Sequence, residues 1–97
     1  MKFRSALPGL FLLTPLLAVA ELHVVIIEGL GGDPGYTQQF GEQVDAIETA
    51  SATLTRAELV QVFRGEAASR DAIVAHFESL QSRSSANDQF SVFLVGH

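Results

Sequence analysis

The chain has 97 residues and no cysteine, and 47% of its residues are hydrophobic. Its formal charge is −5 at pH 7, and residues 21–97, with four arginines against eleven acidic side chains, carry −7. This acidity argues against a nucleic-acid partner and against binding to an anionic membrane surface, because both attract basic patches. The lack of cysteine excludes disulfides, so a small domain would depend on packing alone.

Residues 1–20 have the pattern of a secretory signal peptide. The basic start "MKFR" precedes an apolar stretch, and Ala18-Val19-Ala20 supplies small residues before a cleavage point at Glu21. A membrane-spanning helix needs about 20 apolar residues, whereas two prolines interrupt this shorter stretch. We therefore predict export, removal of residues 1–20, no stable membrane anchor afterwards, and a folded unit over residues 21–97.

The first half of that unit predicts a strand, a loop and a helix. Leu22–Gly29 is a continuous apolar run rich in Val and Ile, typical of a strand buried on both faces. The glycine-rich segment Gly29–Tyr36 predicts a tight loop. Phe40, Val44 and Ile47 then follow at helical spacing and form the apolar stripe of an amphipathic helix.

The next segment predicts a second strand and a second helix. Ala57–Gly65 mixes apolar and polar residues, which favours a strand near an edge of a sheet. Ser69 is a candidate N-cap for the helix that follows. Ile73, Phe77 and Leu80 form its apolar stripe.

A polar loop over Ser82–Gln89 leads to a third strand, Phe90–His97. The resulting order β-α-β-α-β predicts an α/β fold of three αβα layers with a parallel sheet. The third strand is strongly apolar, so we expect it at the centre of the sheet. Three strands and two helices make a thin domain, and we therefore interpret residues 21–97 as the N-terminal part of a larger α/β domain.

Catalytic groups of open parallel sheets gather at the carboxyl ends of the strands. Glu28-Gly29, Arg64-Gly65 and Gly96-His97 occupy such positions. An imidazole at a strand end suits general acid–base chemistry, so His97 is the candidate catalytic residue. His23 begins the first strand, at the wrong edge for catalysis. His76 flanks the apolar stripe of the second helix, and we expect it to be a partly exposed structural residue.

No cofactor or metal site is predicted. Gly29 and Gly31 fit the start of the dinucleotide fingerprint G-x-G-x-x-G, but Pro34 occupies the third glycine position. The three histidines lie on separate elements, without an H-x-x-x-H or H-E pair.

The segment "GEAASRDAIVAHFESLQSRSSANDQFSVFLVGH" resembles the part of the caspase/legumain-like (clan CD) cysteine peptidases that ends at their catalytic histidine. "LHVVIIEGLGGDPGY" resembles the first strand and loop of exported bacterial members. The matching positions are Ala68, Ser69, Arg70, Ile73, Leu80, Asp88, Phe90, Phe93, Gly96 and His97.

The resemblance implies a peptide or protein substrate and a catalytic role for His97, which would act on the leaving amine while a cysteine thiolate attacks. These enzymes place a glycine after the histidine and a cysteine after a further apolar block. Neither is among the 97 residues, so the resemblance implies that this chain alone is inactive.

Two alternatives remain open. "VFLVGH" resembles the strand before the G-H-S-x-G elbow of the α/β-hydrolases, whose serine would follow His97, and "VVIIEGLGG" resembles their oxyanion strand and loop. That loop usually carries His-Gly, where this chain has Glu28-Gly29. The third possibility is a non-enzymatic α/β interaction module, since no nucleophile partner for His97 is evident.

Overall fold

The structure, a computed structural model, describes residues 20–97. The predicted leader lies outside the described residues, except for Ala20. In chain order the elements are β1 (Leu22–Glu28), α1 (Pro34–Ser51), a 3-10 turn (Ala57–Leu59), β2 (Val60–Phe63), a second 3-10 turn (Gly65–Ala67), α2 (Arg70–Arg83) and β3 (Gln89–Val95). Within residues 20–97 no helix combines the length and the apolarity that crossing a bilayer requires.

The three strands form one parallel sheet in the order β2-β1-β3. Ile26 on the central strand pairs with Val62 on one side and with Phe93 on the other. The central position explains the continuous apolar run of β1, because a central strand of a covered parallel sheet has no face that meets water. The predicted α/β class with a parallel sheet is confirmed.

The helices cover opposite faces of the sheet. Successive β1 side chains point to opposite sides, and each helix packs against one of the two sets. Val24 and Ile26 pack with Phe40 and Val44 of α1. On the other face, Val25 packs with Phe63 and with Leu80 of α2, next to Ile73 and Phe77. The apolar stripes predicted for the two helices are therefore the surfaces that bury the sheet, and the three αβα layers are confirmed.

The expected central position of the third strand is wrong for the described residues, where β3 lies at an edge. Strand apolarity does not decide the order; the connections do. A right-handed crossover moves the chain one way when its helix lies on one face and the opposite way when it lies on the other. Since α1 and α2 lie on opposite faces, the chain passes from β1 to β2 and then returns across β1. Several β3 side chains stay exposed: Phe90, Val92, Phe93 and Leu94.

The helix N-termini are fixed by local hydrogen bonds. The Asp33 carboxylate accepts from the Tyr36 backbone N–H at 2.9 Å, and Pro34 occupies the first helical position. The first turn of α1 therefore includes the last residues of the predicted loop. Ser69 caps α2 as predicted, accepting from the Ala72 N–H at 3.1 Å. The second strand is shorter than predicted, because a 3-10 turn occupies each end of the predicted range.

Candidate active site

The carboxyl ends of β1 and β3 meet at one edge of the sheet. Glu28 is the register partner of Val95, and the Gly29 N–H donates to the Val95 carbonyl at 2.8 Å. Phe63, the last residue of β2, pairs with Ile27 of β1. All three pairs of residues that the sequence placed at strand ends therefore lie along this edge, hereafter the carboxyl edge.

His97 extends from β3 over the loop that follows β1. Its Nε2 lies 3.0 Å from the carbonyl oxygen of Gly31. A carbonyl oxygen can only accept, so this hydrogen bond requires the proton on Nε2. In the neutral imidazole the lone pair then lies on Nδ1, which is the atom that could take or deliver a proton.

Aromatic side chains of α1 support the imidazole. The His97 ring stacks on Tyr36, with centroids 4.6 Å apart and planes 18° apart, and contacts Phe40 at 5.5 Å. Sequence reasoning missed Tyr36 because it placed that residue in a loop. The signal that could have found it is Asp33-Pro34, since an N-cap residue followed by proline marks the start of a helix.

An open depression of about 360 Å³ lies next to the imidazole. It lies over the register partners Ile27 of β1 and Leu94 of β3, and Leu94 is 76% exposed. Its lining residues are Ile27, Gly29, Leu94, Val95, Gly96 and His97. The depression is apolar apart from backbone groups and one imidazole, so it could hold an extended or apolar segment beside the histidine.

An ion-pair cluster lies at the β2 end of the carboxyl edge. Arg64 Nε is 3.1 Å from Glu28 Oε1, and one Arg64 terminal nitrogen is 2.5 Å from Asp45 Oδ1 on α1. The hydrogen bond to Asp45 is the main cause of the raised pKa of Arg64. The contact between Arg64 and Glu28 is not aligned as a hydrogen bond. Glu28 Oε1 therefore accepts no hydrogen bond among the described residues. The cluster joins the ends of β1 and β2 to α1. Because two carboxylates offset the guanidinium charge of Arg64, it is not an anion site.

His23 lies at the opposite, amino edge of the sheet and is buried. Its Nε2 is 2.9 Å from Asp88 Oδ2, and its ring stacks on Phe90 with centroids 4.9 Å apart. The hydrogen bond from His23, with further bonds from the Glu21 backbone and from Ser85, holds the pKa of Asp88 well below its usual range. His23 therefore lies at the edge predicted for it, away from the carboxyl edge, and these contacts give it a structural role.

Ligand atoms of Glu21, His23 and Asp88 lie within 4.8 Å of one another, a spacing that could hold a metal ion. However, His23 Nε2 and both Asp88 oxygens are engaged in hydrogen bonds, and the Glu21 carboxylate pairs with Arg56. His23 Nδ1 is the one buried ring nitrogen of the cluster without a hydrogen-bond partner within residues 20–97. Because the other contacts engage His23, Asp88 and Glu21 with protein groups, we assign the cluster a structural role.

His76 lies on α2, with its ring edge-on to Phe63 at 5.6 Å. Burial, with a smaller contribution from the charge of Arg83, lowers the pKa of His76. Its placement against the second core cluster agrees with the expected structural role.

Comparison of the chain with protein-family models, with curated proteins and with solved structures found no match.

Proposed function

We propose that residues 21–97 are the N-terminal part of an exported caspase-like cysteine endopeptidase, in which His97 is the catalytic histidine. The observation that carries the proposal is the His97 imidazole at the carboxyl edge, with Nε2 bound to the Gly31 carbonyl. This contact fixes both the ring orientation and the tautomer, which a general acid–base residue needs. The resemblance described above supplies the reaction type and the substrate class, a peptide or protein.

In the proposed reaction a cysteine beyond residue 97 supplies the thiolate, which attacks the carbonyl carbon of the scissile bond. Nδ1 of His97 takes the proton of the cysteine thiol, and the resulting imidazolium gives that proton to the leaving amine, so the C–N bond breaks without releasing an amide anion. The Gly31 carbonyl holds the Nε2 proton throughout and stabilises the imidazolium before that transfer. Without a cysteine the 97-residue chain cannot form the acyl-enzyme.

A serine α/β-hydrolase is the second candidate function, and the strand order of the sheet is compatible with it. Because β1 and β3 are neighbours, the loop after Glu28 and the residue after His97 share one edge, which a nucleophile elbow and its oxyanion loop require. Against it, Glu28 is paired with Arg64, and the Gly29 N–H already donates to Val95. That amide is not free to bind an oxyanion.

The test begins with the coding sequence beyond codon 97. The peptidase requires a glycine next and a cysteine after a further apolar block, whereas the hydrolase requires Ser-x-Gly. The complete product is then treated with a thiol-directed peptide electrophile and, separately, with a fluorophosphonate.

We expect labelling by the thiol reagent and hydrolysis of a peptide library, with His97→Ala losing turnover and His76→Ala, the matched control, keeping it. Fluorophosphonate labelling would support the hydrolase instead. An open reading frame that ends at codon 97 and a product that reacts with neither probe would support an interaction module.

We also propose that the protein is exported, on the pattern of residues 1–20. Fractionation of cells that express the full chain tests this. A product retained in the cytoplasm at full length would contradict it.

A further inference from the structure

Asp88 collects an unusual number of hydrogen bonds at the amino edge of the sheet. Its Oδ1 accepts from the Glu21 backbone N–H at 3.0 Å and from the Ser85 hydroxyl at 2.9 Å. Its Oδ2 accepts from His23 Nε2 at 2.9 Å and from the Ser85 N–H at 3.2 Å. The carboxylate side chain is only 5% exposed, so it is held in place from both sides.

One of these donors is the nitrogen that leader removal would free. Ala20 is exposed, so a peptidase can reach the bond between it and Glu21. Hydrolysis adds one water across that bond: the carbonyl carbon of Ala20 becomes a carboxylate on the leader, and the Glu21 nitrogen takes up protons to become an ammonium. The catalyst belongs to the leader peptidases of an export machinery.

We infer that leader removal turns Glu21 into a charged chain end that binds Asp88 and thereby fixes the amino edge of the sheet. In the precursor the same nitrogen is a neutral amide and donates a single, weaker hydrogen bond. The acceptor is an ionised carboxylate in both forms, and cleavage adds a positive charge on the donor, so the attraction between opposite charges is added to the hydrogen bond. The mature domain is therefore held more firmly than the precursor at this edge.

The surrounding contacts keep the new ammonium in position. The Gln89 N–H donates to the Glu21 carbonyl at 2.8 Å, which ties this residue to the start of β3. The charged and titratable groups around it are Asp88 and His23 at the amino edge and Arg56, which pairs with the Glu21 carboxylate. The Glu21 carboxylate is already paired with Arg56, so Asp88 is the anion left to receive the ammonium.

This inference rests on the proposed export and leader cleavage, and it does not depend on the peptidase assignment. A chain processed at Glu21 but lacking any catalytic activity would leave it intact. A retained leader would overturn it without bearing on the role of His97.

The sequence allows a specific test, because Lys2 is the only lysine among the 97 residues and the tryptic peptide 21–56 contains none. An amine-reactive label found on that peptide therefore reports the α-amino group alone. The full chain is exported from a bacterial host, the N-terminal residue of the product is determined, and the native protein is labelled at pH 7.

An ordinary α-amino group has a pKa of about 7.7–8.0, and a rise of one unit makes it about tenfold less reactive at pH 7. We expect an N-terminus at Glu21 and labelling about tenfold slower in the native protein than in denaturant. Asp88→Asn, which keeps the acceptor oxygen but not the charge, should restore most of the reactivity. Asp71→Asn, at a fully exposed position in α2, should not.

Three results would overturn the inference: cleavage at another bond, native labelling as fast as in denaturant, or equal protection in Asp88→Asn. Circular dichroism of each sample verifies folding. If Asp88→Asn does not fold, the wild-type chain still tests the ion pair through the ratio of its labelling rates in the native state and in denaturant. Labelling as fast in the native state as in denaturant contradicts the ion pair.

Discussion

Gly31→Ala tests whether the loop that holds His97 is as closely packed as the structure indicates. A methyl group at this position would lie 2.5 Å from the Thr37 backbone nitrogen and 2.6 Å from its hydroxyl oxygen. Ordinary contacts begin near 3.4 Å, so one side must move by about 0.9 Å. Thr37 cannot yield easily, because its N–H and its hydroxyl both donate to the Asp33 carbonyl in the first turn of α1.

Overpacking of this kind typically costs about 1–3 kcal/mol. Gly41→Ala is the matched control, because Gly41 lies inside α1 and a methyl group there meets nothing within 4 Å. Replacing an interior helix glycine with alanine should stabilise the chain by about 0.5–1 kcal/mol. The same chemical change is thus expected to have opposite signs at two positions ten residues apart.

Urea unfolding followed by circular dichroism measures both variants against the wild-type chain. Nuclear Overhauser contacts between the His97 and Tyr36 rings report the site itself, and Gly31→Ala should weaken them. A Gly31→Ala variant as stable as the wild type, with those contacts intact, would refute the packing argument.

The remaining predictions concern charge. Arg64→Gln should destabilise the chain by about 1–3 kcal/mol, because it leaves the Glu28 carboxylate, whose side chain is 13% exposed, without its cation. Asp45→Asn breaks a more exposed pair and should cost less than about 1 kcal/mol; urea midpoints in the reverse order would contradict this assignment. Because the pKa of His76 is lowered in the folded state, its contribution to stability is fully present above about pH 6.5 and is lost as the pH falls through the folded value. His76→Gln should reduce the slope of unfolding free energy between pH 7 and 5, and an unchanged slope would contradict it. Because the pKa of Asp88 is depressed, its contribution to stability is present above about pH 4 and is lost as the pH falls further. The unfolding free energy of Asp88→Asn should therefore fall less steeply with decreasing pH, and an equal slope would count against the hydrogen bonds assigned to Asp88.

The local pattern of the sequence was sufficient to predict the order of strands and helices and their arrangement in αβα layers. Apolar residues at helical spacing predicted the buried stripes of α1 and α2, and the structure packs Phe40, Val44 and Leu80 against the sheet. The switch-point rule likewise predicted that His97 would lie at the carboxyl edge. These features depend on periodicity and on chain order, which one sequence contains in full.

Other features depend on contacts between residues far apart in the chain. The Gly31 carbonyl and Tyr36 lie more than 60 residues before His97, and no local pattern connects them. In the sequence Asp88 is one position of the family resemblance, within a polar loop, whereas in the structure it joins Glu21, His23 and Ser85. Such networks form only after the strands have paired.

The sequence by itself determined that this chain builds an α/β unit with its one candidate catalytic histidine at a strand end. Tertiary structure decided that β1, rather than β3, is central, because the helices lie on opposite faces and the second crossover returns across the first strand. It also decided the state of the three histidines. His23 is buried against a carboxylate, His76 packs against a core aromatic ring, and His97 is the one that donates to a backbone carbonyl oxygen.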